Sequence, residues 1–66
     1  MRNISRITPF MMQINEIWLQ RFPDWRFGQL MSNFSLWLNQ KGVDWFYLEE
    51  SQFLELFKEF TNKINI

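Results

Sequence analysis

The chain has 66 residues, 47% of them apolar and 20% aromatic, with neither cysteine nor histidine. A chain of that length is one domain, 1–66, that buries a modest share of its surface and needs dense packing or a partner, and the absent residue types exclude disulfides and zinc held by nitrogen or sulfur. Seven basic and seven acidic side chains cancel, which argues against a strongly basic face for a nucleic-acid backbone.

Residues 1–7 are polar and basic, with Arg2, Asn3, Ser5 and Arg6, and are expected to be loosely held. Thr8 followed by Pro9 reads as a helix start: threonine caps, proline takes the first helical position, and Ile7 and Met12 occupy the two staple positions. The first predicted helix spans 9–21. Phe10, Met11, Ile14, Ile17 and Trp18 form its inner stripe, with Phe22 leading out. Met12 and Leu19 fall on the other side and have no core role.

Pro23 ends that helix, and Asp24 stands where the cap of a second helix, 25–41, belongs. Its carboxylate is placed to accept the free amides of Arg26 or Phe27 and to face the positive end of the helix dipole. Lys41 and Gly42 mark the far end, with Val43 set to touch Leu38 in a Schellman closure. Phe27, Leu30, Met31, Phe34, Trp37 and Leu38 recur at spacings of three and four and make one core stripe. The opposite side carries Gly28, Ser32 and Ser35, flanked by Trp25 and Leu36. A helical glycine costs roughly 1 kcal/mol relative to alanine, so Gly28 has two readings: relief of crowding against the first helix, or contact with a second chain. Only Phe22, Pro23 and Asp24 join the two helices, which must fold back on each other or cross steeply.

After Gly42, Asp44 is expected to cap a single turn that tucks Phe46 under the bundle. Glu49 and Glu50 then place two carboxylates at the start of a third helix, 50–62, where the dipole favours them. Phe53, Leu54, Phe57, Phe60 and Ile64 form its buried stripe, and Glu55, Lys58, Glu59 and Lys63 face water. The fold class is therefore all-α, a compact three-helix bundle with a short aromatic turn between the second and third helices. No apolar run approaches the roughly 18 residues of a membrane-spanning helix. Asn3, Ser5, Arg6 and Thr8 interrupt any apolar signal core at the start, so the default expectation is cytoplasmic, with no membrane partner.

The charge is uneven along the chain. Through Val43 there are five basic residues (Arg2, Arg6, Arg21, Arg26, Lys41) against two acidic ones (Glu16, Asp24). From Asp44 onward there are two basic (Lys58, Lys63) against five acidic (Asp44, Glu49, Glu50, Glu55, Glu59). The two parts are expected to attract each other in the folded chain.

No constellation names a reaction. Nucleophilic catalysis without histidine or cysteine would need Ser or Thr beside Lys or a carboxylate, and no spacing supports it. Asp44, Glu49 and Glu50 are the one set of acids that could transfer a proton or hold a hard cation, but capping and first-turn placement account for them. Gly28 and Gly42 are the only glycines, so no phosphate loop exists. Neither a catalytic residue, a metal ligand nor a cofactor is assigned. Arg26, Gln29 and Asn33 form a polar strip along one edge of the second helix. They read either as recognition residues or as structural ties, Arg26 to Asp44 or Glu50 and Gln29 to loop carbonyls.

Several stretches carry a resemblance: Ile17-Trp18, Phe22 through Leu30 with Asn33, and Asp44 through Glu50 with Phe53. They resemble a family of short uncharacterised bacterial and phage-borne proteins built on a Pro-Asp-x-Arg-x-Gly-Gln-Leu core and a later Asp-x-Phe-Tyr-x-Glu-acid segment. Trp25 stands where that pattern has leucine, and Glu50 where an aspartate would cap better. The resemblance implies a compact intracellular protein of mobile-element type and brings no catalytic residue with it.

Once the three stripes are filled, Met12, Leu19, Trp25, Leu36, Trp45, Tyr47 and Leu56 remain, more apolar surface than a small monomer exposes as one patch. The expected function is therefore non-enzymatic contact with a protein, either a second copy in a homodimer or a host protein, such as the target of a phage-type inhibitor of a defence enzyme. The predicted interface is Met12, Leu19, Trp25, Gly28, Ser32, Leu36 and Trp45. A nucleic-acid-binding helix-turn-helix is the alternative, disfavoured because Glu55 and Glu59 would face phosphate.

Overall fold

The structure, a computed structural model, describes residues 2–63. It is a three-helix bundle, with α1 at Ile7–Arg21, α2 at Phe27–Gln40 and α3 at Glu50–Lys63. A 3-10 turn, Ile4–Arg6, leads into α1, and a second, Trp45–Tyr47, separates α2 from α3. Among the described residues no helix is long and apolar enough to cross a membrane.

The core is the overlap of the three apolar stripes. Leu30, Phe34 and Leu38 of α2 meet Phe57 and Phe60 of α3, all fully buried, with Ile14 and Phe22 closing the α1 side. Phe34 sits at the centre, its ring 5.0 Å from Phe53, 5.1 Å from Phe57 and 5.2 Å from Phe60. Edge-on and tilted ring contacts of this kind add favourable quadrupole terms to the area buried. The stripe overreaches at two places: Met11 of α1 and Phe27 of α2 are both exposed. Ile64, expected at the end of the third stripe, lies outside the described residues.

Polar contacts mark the direction of the helices. Arg2 pairs with Glu49 at 2.7 Å and Arg6 with Glu50 at 2.7 Å, joining the start of α1 to the start of α3. At the other end Arg21 donates to the Thr61 carbonyl and to Asn62 Oδ1, both at 3.0 Å. Thus α1 and α3 run parallel, and a last-turn arginine of one satisfies a terminal carbonyl of the other, where the helix dipole favours a cation. Lys41 reaches Glu59 at 2.8 Å from the end of α2. These three long-range ion pairs all join a base before Val43 to an acid after it, the attraction expected from the uneven charge.

The helix starts differ from the sequence expectation. Residues 2–6, expected to be loosely held, form a turn in which Asn3 Oδ1 accepts the Ser5 amide at 2.9 Å, and the Arg2 and Arg6 ion pairs hold this turn against α3. The turn runs straight into α1, which therefore begins at Ile7, not Pro9, and Thr8 is a helical residue and not the cap. Pro9 falls in the first turn, where a missing amide costs nothing. Ile7 and Met12 are both exposed, so the proposed staple does not form.

Asp24 does not cap α2. Pro23 and Asp24 form the corner of a turn closed by Trp25 N donating to the Phe22 carbonyl at 3.0 Å. Trp25 stays out of the helix because two contacts hold it: its ring stacks on Phe22 at 4.5 Å, and its carbonyl accepts the Trp18 indole Nε1–H at 3.0 Å. The helix starts two residues later, at Phe27, with the Arg26 amide donating to Gln29 Oε1 at 2.8 Å. Arginine has no acceptor to return that bond, so only half of a capping box is made. The same device opens α3, where the Glu49 amide donates to Gln52 Oε1 at 3.0 Å.

The end of α2 follows its sequence marks. Gly42 has φ +76°, Val43 N donates to the Leu38 carbonyl at 2.9 Å and Gly42 N to the Asn39 carbonyl at 3.0 Å, the two bonds of a Schellman motif. Val43 packs half-buried against the core.

Candidate functional site

The predicted interface residues separate into three groups. Ser32, Leu36 and Trp45 come together. With Met31, Ser35 and Asn39 they line an open groove of about 430 Å³ along the outer face of α2. It continues past Trp45 over Val43 and Gly42. Leu36 stands 57% exposed in its wall. Gly28 lies one turn before Ser32 on the same helix, and a Cβ added there would meet nothing within 4 Å. This overturns relief of crowding against α1 as the reason for the glycine: the small-residue face is open.

Met12 and Leu19 lie apart from the groove on α1, 65% and 63% exposed. Leu19 borders a small cleft of about 90 Å³ with Asn15, Trp18 and Pro23. Trp25 belongs to neither surface. It is half-buried against the core, stacked on Phe22, and its interface assignment is corrected accordingly. Leu56, counted with the surplus, likewise packs half-buried on the core.

The aromatic turn supplies what sequence reasoning missed. Asp44 caps it as expected, its carboxylate accepting the Phe46 amide at 3.0 Å. Phe46, however, points outward at 82% exposure, with Tyr47 beside it at 77% and the two rings edge-to-face at 4.9 Å. The reason is geometric. A 3-10 turn has three residues per revolution, so three consecutive aromatics face three directions and only one can reach the core. Trp45 leans toward α3, its ring 5.9 Å from Phe53 though still 40% exposed, and the other two form a protruding aromatic knob next to the groove.

The polar strip does not converge. The Arg26 and Asn33 side chains are exposed and bond to none of the described residues, and Gln29 serves the helix start. Arg26 is thus not the tie to Asp44 or Glu50: Asp44 caps its turn and Glu50 holds Arg6. Glu49 is committed to Arg2, whose guanidinium holds the carboxyl below its ordinary value, by hydrogen bonding first and charge second. The three acids Asp44, Glu49 and Glu50 therefore serve separate structural partners. Among the described residues no group of three acids is arranged to hold a metal ion.

One property distinguishes the α2 surface from the rest. The fourteen residues of α2 include no charged side chain, although seven bases and seven acids are distributed over the chain. Exposed faces of soluble domains ordinarily carry a quarter to a third charged residues. This one is neutral, shallow and edged by aromatic rings. Comparison with known families, curated proteins and solved structures returns no match.

Proposed function

We propose that the chain is a small non-enzymatic helical protein that acts through protein–protein contact, using the α2 face and the aromatic turn. The observation that carries this reading is that Leu36 and Trp45 stay exposed in a groove whose α2 wall is uncharged, with Phe46 and Tyr47 exposed in the turn that follows Trp45. Aromatic residues in such settings anchor interfaces, and charged residues are depleted from interface cores. The partner is a second copy or a host protein. A phage-type inhibitor of a host defence enzyme is the biological setting that the family resemblance favours.

The nucleic-acid reading draws less support. Arg2, Arg6 and Lys41 are engaged by carboxylates and Arg21 by α3, which leaves few bases for phosphate.

Leu36→Glu tests the proposal. Leu36 is solvent-facing, so the variant should fold with stability within about 0.5 kcal/mol of the parent. It should lose self-association in light scattering, or lose a specifically bound protein in side-by-side capture with the parent. An unaltered association state together with unaltered capture refutes it.

A further inference from the structure

We infer that the occupant of the α2 groove is the Phe46–Tyr47 knob of a second copy, in a two-fold dimer where each chain inserts its knob into the groove of the other. The inference rests on the contact function proposed above and names its partner.

Three observations lead there. The first is adjacency. Trp45 forms the groove wall, and the next two residues are the knob. Donor and acceptor features therefore lie on one surface, as an isologous contact requires, because under a two-fold axis the same patch serves both chains.

The second is charge. Two identical surfaces facing each other bring like groups close, so a charged face penalises self-pairing. The groove wall on α2 has no charge to penalise. At its Trp45 end the one ionisable group is Asp44, whose carboxylate accepts from Phe46 N.

The third is area. Phe46 and Tyr47 are 82% and 77% exposed, and each aromatic side chain can bury roughly 150–250 Å². At those exposures each ring has roughly 120–200 Å² left to lose, so reciprocal exchange buries about 500–800 Å² of knob and at most a similar area of groove wall, about 1,000–1,600 Å² in all, the lower part of the range of a specific interface. A partner offering a groove without a knob would bury about half of that, the range of weak contacts. Exchange between copies is the arrangement that lets this surface reach the range of a specific interface.

The test uses the full chain. Sedimentation velocity at micromolar concentration should show a dimer, and Phe46→Ala combined with Tyr47→Ala should weaken it at least tenfold. Both side chains are exposed, so the far-UV circular dichroism spectrum of the double variant should be unchanged. Because the chain has no cysteine, a Tyr47→Cys chain mixed with a Ser35→Cys chain should form a disulfide-linked heterodimer on oxidation, and neither chain alone should cross-link. A dimer that survives the double variant and gives no mixed cross-link overturns the exchange, while leaving contact function intact. A monomer whose bound host protein is released by the double variant overturns the second copy as occupant but again leaves contact function standing. A monomer whose protein capture is the same in the parent, the double variant and Leu36→Glu overturns both.

Discussion

Phe34→Ala is the sharpest test of the core. Phe34 is fully buried, and its ring contacts Phe53, Phe57 and Phe60 on α3 and lies 6.1 Å from Trp37 on its own helix. Truncation removes the ring from the place where α2 meets α3 and leaves a space that neighbouring rings fill only in part. Phe→Ala in a core costs about 3–5 kcal/mol. A 66-residue chain has roughly 3–10 kcal/mol of stability in total, at about 0.05–0.15 kcal/mol per residue. At about 4–8 °C per kcal/mol for a domain of this size, Tm should fall by roughly 12–40 °C, leaving the variant unfolded or barely folded at 25 °C. Thermal and urea unfolding followed by far-UV circular dichroism measure this at one fixed protein concentration, because association would otherwise shift the midpoint. Phe46→Ala, the same chemical change at an exposed ring, should shift stability by no more than about 0.5 kcal/mol when measured at high dilution. If Phe34→Ala stays within about 1 kcal/mol of the parent, or if the two variants are equally damaging, the core is not where the ring contacts place it.

Gly42→Ala should lower stability by about 1–2 kcal/mol in urea titrations, since φ +76° is the left-handed region that a Cβ disfavours; Gly42→Asn should lose less. Gly28→Ala should raise stability by about 0.4–1 kcal/mol in the same assay, because the new methyl meets open space; a loss would reveal a neighbour at that face. Glu59 is held below its ordinary value of 4.5, first by its hydrogen bond from Lys41 and then by the Lys41 and Lys63 charges. A carboxylate depressed on folding stabilises above its unfolded value and loses that contribution as pH falls from about 4.5 through the lower folded value. Glu59→Gln should therefore flatten the acid limb of a Tm-against-pH curve while changing little at low pH, and salt should mute the difference because the pair is solvent-exposed.

Much of this architecture is legible in the chain because the signals are local. Apolar spacing of three and four marks Leu30, Phe34 and Leu38, and the same spacing marks Phe57 and Phe60, whatever lies opposite. Gly42 with Val43 specifies a Schellman closure because both bonds are made within six residues. The segregation of bases before Val43 from acids after it already implies that the two parts meet.

The helix starts were less legible for a reason also visible in the bonds. Asp24 is a competent cap, but Trp25 is drawn out of helical geometry by Phe22 and by the Trp18 indole, contacts that a cap cannot outbid. Gln29 and Gln52, three residues after the true caps, were the available signal. The N-terminal turn had Asn3 as its local signal, but the Arg2 and Arg6 pairs that hold it in place involve residues more than forty positions away.

The same division applies to the candidate surface. Sequence alone determined that the second helix has a small-residue outer face and that aromatic residues outnumber the places available in three stripes. Periodicity states which side of a helix is apolar; it does not state which marginal residues a neighbour covers. Tertiary packing decided that Trp25 and Leu56 are covered while Leu36 is not, and that Trp45 leans on Phe53 while Phe46 and Tyr47 project further out. That choice belongs to the meeting of α2, α3 and a three-residue turn, whose three consecutive rings point in three directions so that only one lies against α3.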